Sequence, residues 1–212
     1  MEGYGIAREE MDRAFDARFP SWMKEKLAAA SVAVAGLGGL GSHAAVSLAR
    51  SGVGHLLLVD FDRVDVTNLN RQAYLISHLG MPKTEALRDI LTGINPWLDI
   101  RTAQVRVTPD NISGLFRAYP IVCEAFDRPD QKAMLVQGLL TGCPDTVVVS
   151  GNGMAGYGDA NTVQTRQRLR RLYICGDERT DTGEGMGLMS PRVMVCAGHQ
   201  ANKVIQLILE DH

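Results

Sequence analysis

Near the N-terminus Met11, Phe15, Phe19, Trp22, Met23 and Leu27 recur at spacings of three and four among charged residues, which predicts helical segments over 8–29 with Pro20 opening a fresh turn. The pattern then changes. VAVAG at 32–36 is a continuous run of β-branched and small residues ending in glycine, as expected of a strand buried on both faces. Helical material follows over 39–50, and HLLLVD at 55–60 reads as a second buried strand that delivers an acid at its end. Strand, glycine turn, helix, strand is a βαβ unit.

The alternation continues with a helix over 83–93 behind Pro82, a strand near 100–105, a short helix at 111–118, a strand at 121–125, a helix at 128–140 and a strand at 146–150. This rhythm predicts an α/β fold, Rossmann-like and doubly wound, with a mostly parallel sheet covered on both faces. In the last third, 161–167 and 169–175 predict two strands, antiparallel to each other. A Gly-rich loop over 176–190 and a long helix at about 192–210 close the chain. With neither repeat nor linker, residues 1–212 are expected to form a single domain.

Composition narrows the class. At 212 residues, 45% hydrophobic and 22% charged, the chain has the make-up of an ordinary soluble globule rather than a disordered one. Lys and Arg number 22 against 24 Asp and Glu, so general nucleic-acid binding is not expected. No apolar run reaches membrane-spanning length, and MEGYGIAREEMDRAFDARF lacks the apolar stretch of a secretory signal, so a cytoplasmic protein is expected. Cys123, Cys143, Cys175 and Cys196 form no CxxC pair, which argues against zinc and fits reduced thiols.

Glycine is abundant, at 22 residues, and its placement carries chemistry. GLGGLG at 36–41 fits G-x-G-x-x-G through Gly36, Gly38 and Gly41, between a strand and a helix, with Asp60 ending the next strand. Glycines let a backbone approach a phosphate, the amides at the helix N-terminus face negative charge, and Asp60 can accept ribose hydroxyls. A nicotinamide dehydrogenase uses the same turn. Here, however, Asp60 is followed by a polar loop holding Asp62, Asn68, Arg71 and Gln72, then by Lys83. Two cations at the nucleotide end of the sheet suit a polyphosphate whose charge shifts to leaving pyrophosphate. Asp127 ends another strand, at the sheet edge where open α/β folds bind ligands. Holding Mg²⁺ against a triphosphate explains it, and so does capping the helix that follows.

GLGGLG, LLLVDFDRVDVTNLNRQ, GMPK and the strand-end Asp127 together resemble the E1-like ThiF/MoeB/HesA adenylyltransferases, most closely a short second group of ThiF proteins found in thiamin-biosynthesis settings. The likeness runs from about residue 25 to 151 and resumes at GLMSPRVMVCAGHQANKVIQLIL. It implies ATP-dependent adenylation of the C-terminal glycine of a ThiS-like β-grasp sulfur carrier, with Mg²⁺ as the accompanying ion and pyrophosphate released. By position, Gly36, Gly38, Gly39 and Gly41 would line the phosphates, Asp60 would hold the ribose, and Asp62 and Gln72 would also belong to the nucleotide site. Asn68, Arg71 and Lys83 would contact phosphates, and Asp127 would bind Mg²⁺ and serve as an essential acid. The resemblance further implies a homodimer in which an arginine near the N-terminus, Arg13 with Arg18 as its rival, reaches the partner's ATP.

The chain departs from that pattern in three places. It lacks the paired zinc cysteines of longer members. No cysteine lies in the loop before the last helix, so Cys175 is the nearest thiol for any covalent step. Asp127 is followed by Arg128 where an asparagine is usual. Arg166, Arg168 and Arg170 share a parity and, beside Arg171, would make either a solvated sheet face or a dock for an acidic carrier. The remaining alternatives are an E1-like enzyme with another target (a tRNA-modifying dehydratase or a peptide adenylase), a non-catalytic nucleotide-binding scaffold, and a nicotinamide oxidoreductase.

Overall fold

The computed structural model describes residues 6–181, 183 and 185–210. Helices α1 (Arg8–Asp16) and α2 (Ser21–Ala29) flank Pro20, whose fixed φ of -55° sets the entry to α2. The βαβ unit follows as β1 (Ser31–Ala35), α3 (Gly39–Arg50) and β2 (His55–Val59). Then come α4 (Lys83–Ile94), β3 (Asp99–Ala103), α5 (Ile112–Phe116), β4 (Ile121–Glu124), α6 (Pro129–Gly142) and β5 (Val147–Gly151). The hairpin β6 (Gln164–Leu169) and β7 (Leu172–Gly176) precedes the closing helix α7 (Ser190–Leu209).

The strands form one sheet in the order β3-β2-β1-β4-β5-β7-β6, parallel throughout except for β6, which runs antiparallel to β7 at the edge. β1 is buried on both faces, which is why its sequence reads as an unbroken apolar run. Val32 and Val34 pack into one core with α3, α4 and α7, and Ala33 and Ala35 into a second core with α5 and α6. Successive strands step away from β1 in opposite directions, to β2 and to β4. The crevice at their carboxyl ends is the topological switch point where such sheets bind ligands. Among the described residues no helix is long and apolar enough to cross a membrane.

At the C-terminal end one expectation is corrected and another holds only in part. The segment 161–163 is not strand: Ala160–Thr162 is a short 3₁₀ turn capped by the Asp159 carboxylate, which accepts the Asn161 amide at 2.9 Å. The arginines near the hairpin divide. The ladder shifts register between Gln167 and Leu169, and Arg170 and Arg171 lie in the turn beyond β6, so parity does not carry past Arg168. Arg166 and Arg168 both pair with Glu178, whereas Arg171 donates to the carbonyls of Leu140, Cys143 and Thr146 around the end of α6.

One buried pair ties the last helix to the rim of the switch-point crevice. Arg192, in the first turn of α7, donates to the carbonyls of Gly158 and Asp159, to Thr162 Oγ1 and to Asp177 Oδ2. Burial works to raise the Asp177 carboxyl. The Thr180 and Arg179 amides, the Thr180 hydroxyl and Arg192 overcome it and hold the group at about 2. That folded value lies below the roughly 3.9 of an unfolded aspartate. The stabilisation is therefore present above about pH 4 and is lost as pH falls through about 2. Asp177→Asn is expected to unfold at lower urea than the native chain at pH 7, and the gap between the two midpoints should close as the pH is taken down through that window.

Candidate functional site

β1 ends at a turn that only glycine fits. Gly36 has φ of +88°, and a Cβ there would lie 2.8 Å from both the Ala125 carbonyl oxygen and the Phe126 ring. Gly41 is held to glycine by close approach, since its Cβ would stand 1.8 Å from the Gly36 carbonyl oxygen. Gly41 therefore does not line the crevice. It lets the first turn of α3 sit directly on the strand end, a packing role in place of the expected phosphate contact.

The crevice is a cleft of about 610 Å³, within the range of small-molecule sites. Its walls bring together Gly36, Gly38, Gly39, Asp60, Asp62, Asn68, Arg71, Gln72, Lys83 and Asp127, so most of the residues singled out from sequence converge. Arg13 and Arg18 do not; both are exposed near the N-terminus, away from the cleft lining of their own chain.

Asp60 is buried and accepts the Leu37 amide at 2.7 Å through Oδ2 and the Asp62 amide at 2.8 Å through Oδ1. Burial pushes its carboxyl above the ordinary value, with Lys83 and the two amides opposing. The Lys83 ammonium is also buried and sits 3.1 Å from Asp62 Oδ2. The loop between them is pinned onto the glycine turn. Tyr74 donates its hydroxyl to the Leu37 carbonyl at 2.8 Å, Ser42 Oγ accepts the Ala73 amide at 3.1 Å, and the His43 ring donates to the Arg71 carbonyl at 3.2 Å. Asp65 and Asn68 cap one another's turn, and Arg71 bonds the Thr67 carbonyl and Asn70 Oδ1. Gln72 Oε1 is buried in this wall without a hydrogen-bond partner, an acceptor left for something that enters the cleft.

Asp127 is exposed at the opposite wall, and its carboxylate makes no hydrogen bond or ion pair among the described residues. It is not a helix cap: α6 has Arg128 at that position, with no side-chain bond to the helix amides. Nor does any group of three His, Cys, Asp or Glu side chains among the described residues make a ready metal site. Cys175 is fully buried and shut out of the cleft. Burial raises its thiol to about 11, with Thr165 and Lys203 opposing.

Several lining residues carry no motif in the sequence. Phe61, Val105, Arg106 and Val107 form an apolar end beside Asp60, with the Arg106 guanidinium 4.0 Å from the Phe61 ring centre. Gln131, Lys132, Asn152, Gly153, Arg179 and Thr180 shape the other end. The continuous VCEAFD run holds an acid, Glu124, that was the only available signal for the charged pair behind Lys132.

The sequence pattern of the ThiF family matches residues 11–212. This chain belongs to the ThiF family. Within that E1-like ThiF/MoeB group it is 34% identical over 190 residues to the molybdopterin-synthase adenylyltransferase of Salmonella typhimurium, covering 87% of this chain and 75% of that one. It is also 37% identical over 142 residues to the tRNA threonylcarbamoyladenosine dehydratase of Bacillus subtilis, 66% of this chain and 55% of that one. The ThiF-family fold here superposes on the Escherichia coli tRNA N6-threonylcarbamoyladenosine dehydratase crystallised with ATP, with a TM-score of 0.85, 96% of both chains covered and 23% identity.

In this ThiF-family chain the glycines are not equivalent. A Cβ at Gly38 would have nothing nearer than the Gln72 side chain at 3.9 Å. Gly38→Ala is therefore expected to change stability by less than about 1 kcal/mol. Gly41→Ala, which must displace backbone, is expected to cost about 1–3 kcal/mol or more in urea unfolding.

Proposed function

We propose that this chain uses ATP to adenylate the C-terminal glycine of a ThiS-like β-grasp sulfur carrier, in thiamin biosynthesis. The observation that carries this reading is the convergence, in one cleft, of the glycine turn and Asp60 with the cations Arg71 and Lys83 and the unpaired Asp127. A nicotinamide site needs the first two and has no use for the rest.

The attacking carboxylate is already ionised, so the reaction needs neither an enzyme nucleophile nor a strong base. One carboxylate oxygen forms a bond to the α-phosphorus, the bond from that phosphorus to the bridging oxygen breaks, and pyrophosphate leaves with its electron pair. The obstacle is bringing two anions together, and fixed positive groups lower it. Asp60, whose burial is opposed by Lys83 and two amides, retains lone pairs to accept ribose hydroxyls. Gly38 and Gly39 expose the amides at the start of α3 to phosphate oxygens. Arg71 and Lys83 compensate charge on the leaving pyrophosphate. A lone carboxylate beside phosphates is the way proteins usually hold Mg²⁺, so Asp127 fits that ion, which supplies further neutralisation when bound.

ATP–pyrophosphate exchange tests the reading directly. Exchange should require a ThiS-like protein ending in Gly-Gly, and Lys83→Ala and Asp127→Ala should each reduce it by roughly 10²-fold or more while circular dichroism stays unchanged. Tight ATP binding without exchange would leave a scaffold, and NAD binding in place of ATP would overturn the nucleotide assignment.

The chain is further proposed to act as a homodimer in which Arg13 of each subunit reaches the other's nucleotide. Its position outside its own cleft supports this. Mixing inactive Arg13→Ala and Lys83→Ala subunits should then restore roughly a quarter of native activity, because half the random dimers hold one intact site. No recovery on mixing would assign Arg13 elsewhere.

The dehydratase reading is favoured by the fold match along nearly the whole chain. Against it, three of the four arginines clustered at the hairpin are engaged within the chain: Arg166 and Arg168 with Glu178, and Arg171 with the end of α6.

A further inference from the structure

Behind the cleft lies a charged pair that the reaction described above does not use. Glu124 ends β4, fully buried, opposite Ser150 on β5. Its Oε1 accepts the Phe126 amide at 2.8 Å, and its Oε2 accepts the Ser150 hydroxyl at 2.5 Å and the Lys132 ammonium at 2.6 Å. Lys132 sits in the opening turns of α6 with its side chain 19% exposed, and it is one of the residues that line the cleft.

The placement is costly by ordinary rules. A cation near a helix N-terminus opposes the helix dipole, and a fully buried carboxylate is expensive to ionise. Each offsets the other's cost, but an apolar pair of the same size would do so with less penalty. What the charged pair provides is an ammonium fixed in direction. Lysine carries three N–H donors, and Glu124 receives one.

The direction matters because the cleft has two ends. Asp60, Phe61, Val105 and Val107 mark the end beside β2 and β3. The glycine turn and Arg71 lie between, and Lys132 stands with Gln131, Gly151 and Asn152 at the end beside β4 and β5. If ribose and base occupy the first end and phosphates the middle, the second is left for the acceptor.

We propose that Lys132, aimed by the buried Glu124, receives the acceptor's carboxylate at the β5 end of the cleft. The inference rests on the adenylation reading. The same pairing explains why a lysine shackled to an acid serves better than a free one. A lone ammonium would bind the carboxylate strongly in the ground state and resist its departure toward phosphorus, whereas a half-neutralised one orients the group without trapping it. It also keeps the ammonium from swinging across to the triphosphate.

The experiment compares Lys132→Met with the double variant Glu124→Gln/Lys132→Met, using carrier-dependent ATP–pyrophosphate exchange with a ThiS-like protein ending in Gly-Gly, nucleotide titration without carrier, and urea unfolding. Lys132→Met is expected to raise the carrier KM roughly tenfold or more, while the Kd for ATP moves by less than about threefold. The single variant also loses stability, because Glu124 is left buried and unpaired. The double variant should regain that stability, since neither charge remains, yet keep the raised carrier KM. A carrier KM that returns to native in the double variant would make the pair purely structural and overturn the proposal. So would a parallel loss of ATP affinity, which would put Lys132 on the nucleotide. Absence of exchange by the native chain, by contrast, would strike the adenylation reading itself and take this inference with it.

Discussion

The contact on which the cleft depends is that between the end of β1 and the end of β4. Gly36 turns with positive φ directly against the Ala125 carbonyl and the Phe126 ring, and α3 begins so close behind that Gly41 touches the Gly36 carbonyl. No side chain fits in either gap. This approach brings the amides at the start of α3 to the switch point, and it fixes the Leu37 peptide between two anchors: Asp60 accepts its N–H and Tyr74 donates to its C=O. The segment carrying Asn68, Arg71 and Gln72 is thus referenced to the same peptide as the acid at the end of β2. Positions on three separate stretches of chain become one rigid surface.

Charge follows a consistent rule around that surface. The buried ionic groups have partners: Asp60 has two amides, Lys83 has Asp62, Glu124 has Lys132 and Ser150, and Arg192 has Asp177. These pairings are in place before any ligand arrives, which limits the reorganisation left for a bound state. Asp127 and Gln72 Oε1 stand apart, a carboxylate in solvent and a buried acceptor without a donor. Groups left unmatched in the cleft wall are where a ligand's own atoms are required.

What the sequence made legible was local in the chain. The βαβ order, the bounds of α3 and the glycine turn come from periodicity and spacing over a dozen residues, and the polar run after Asp60 is contiguous. Legibility ended where contacts join distant elements or where regular geometry fails. Glu124 and Lys132 are eight residues apart, on a strand and on a helix, and no spacing rule connects those two. Phe61 meets Arg106 only because β2 and β3 end side by side. The parity reading of Arg166, Arg168 and Arg170 assumed an ideal strand; it holds for Arg166 and Arg168, which share Glu178, and lapses at Arg170, in the turn beyond β6. Gly41 was matched to its motif correctly and given the wrong physical task, because a pattern of letters does not distinguish a glycine that faces a phosphate from one that faces a carbonyl.

The cysteines bear on how far this chain can carry a reaction alone. Cys123, Cys143, Cys175 and Cys196 are all buried, and none lines the cleft. Cys175 lies on the hairpin strand β7, its thiol 3.4 Å from the Thr165 hydroxyl, and is fully buried. Burial lifts its thiol to about 11 and that of Cys196 to about 12, so at neutral pH the thiolate, the only competent nucleophile, is a minute fraction of either. The hydroxyl of Thr180, at the cleft rim, is committed to Asp177. The cleft therefore offers amides, cations and carboxylates that hold and orient, and no thiol that could displace a leaving group. On the adenylation proposed above, such a cleft would join two substrates by charge compensation, and any later acyl transfer would depend on a nucleophile that the described cleft lining does not contain.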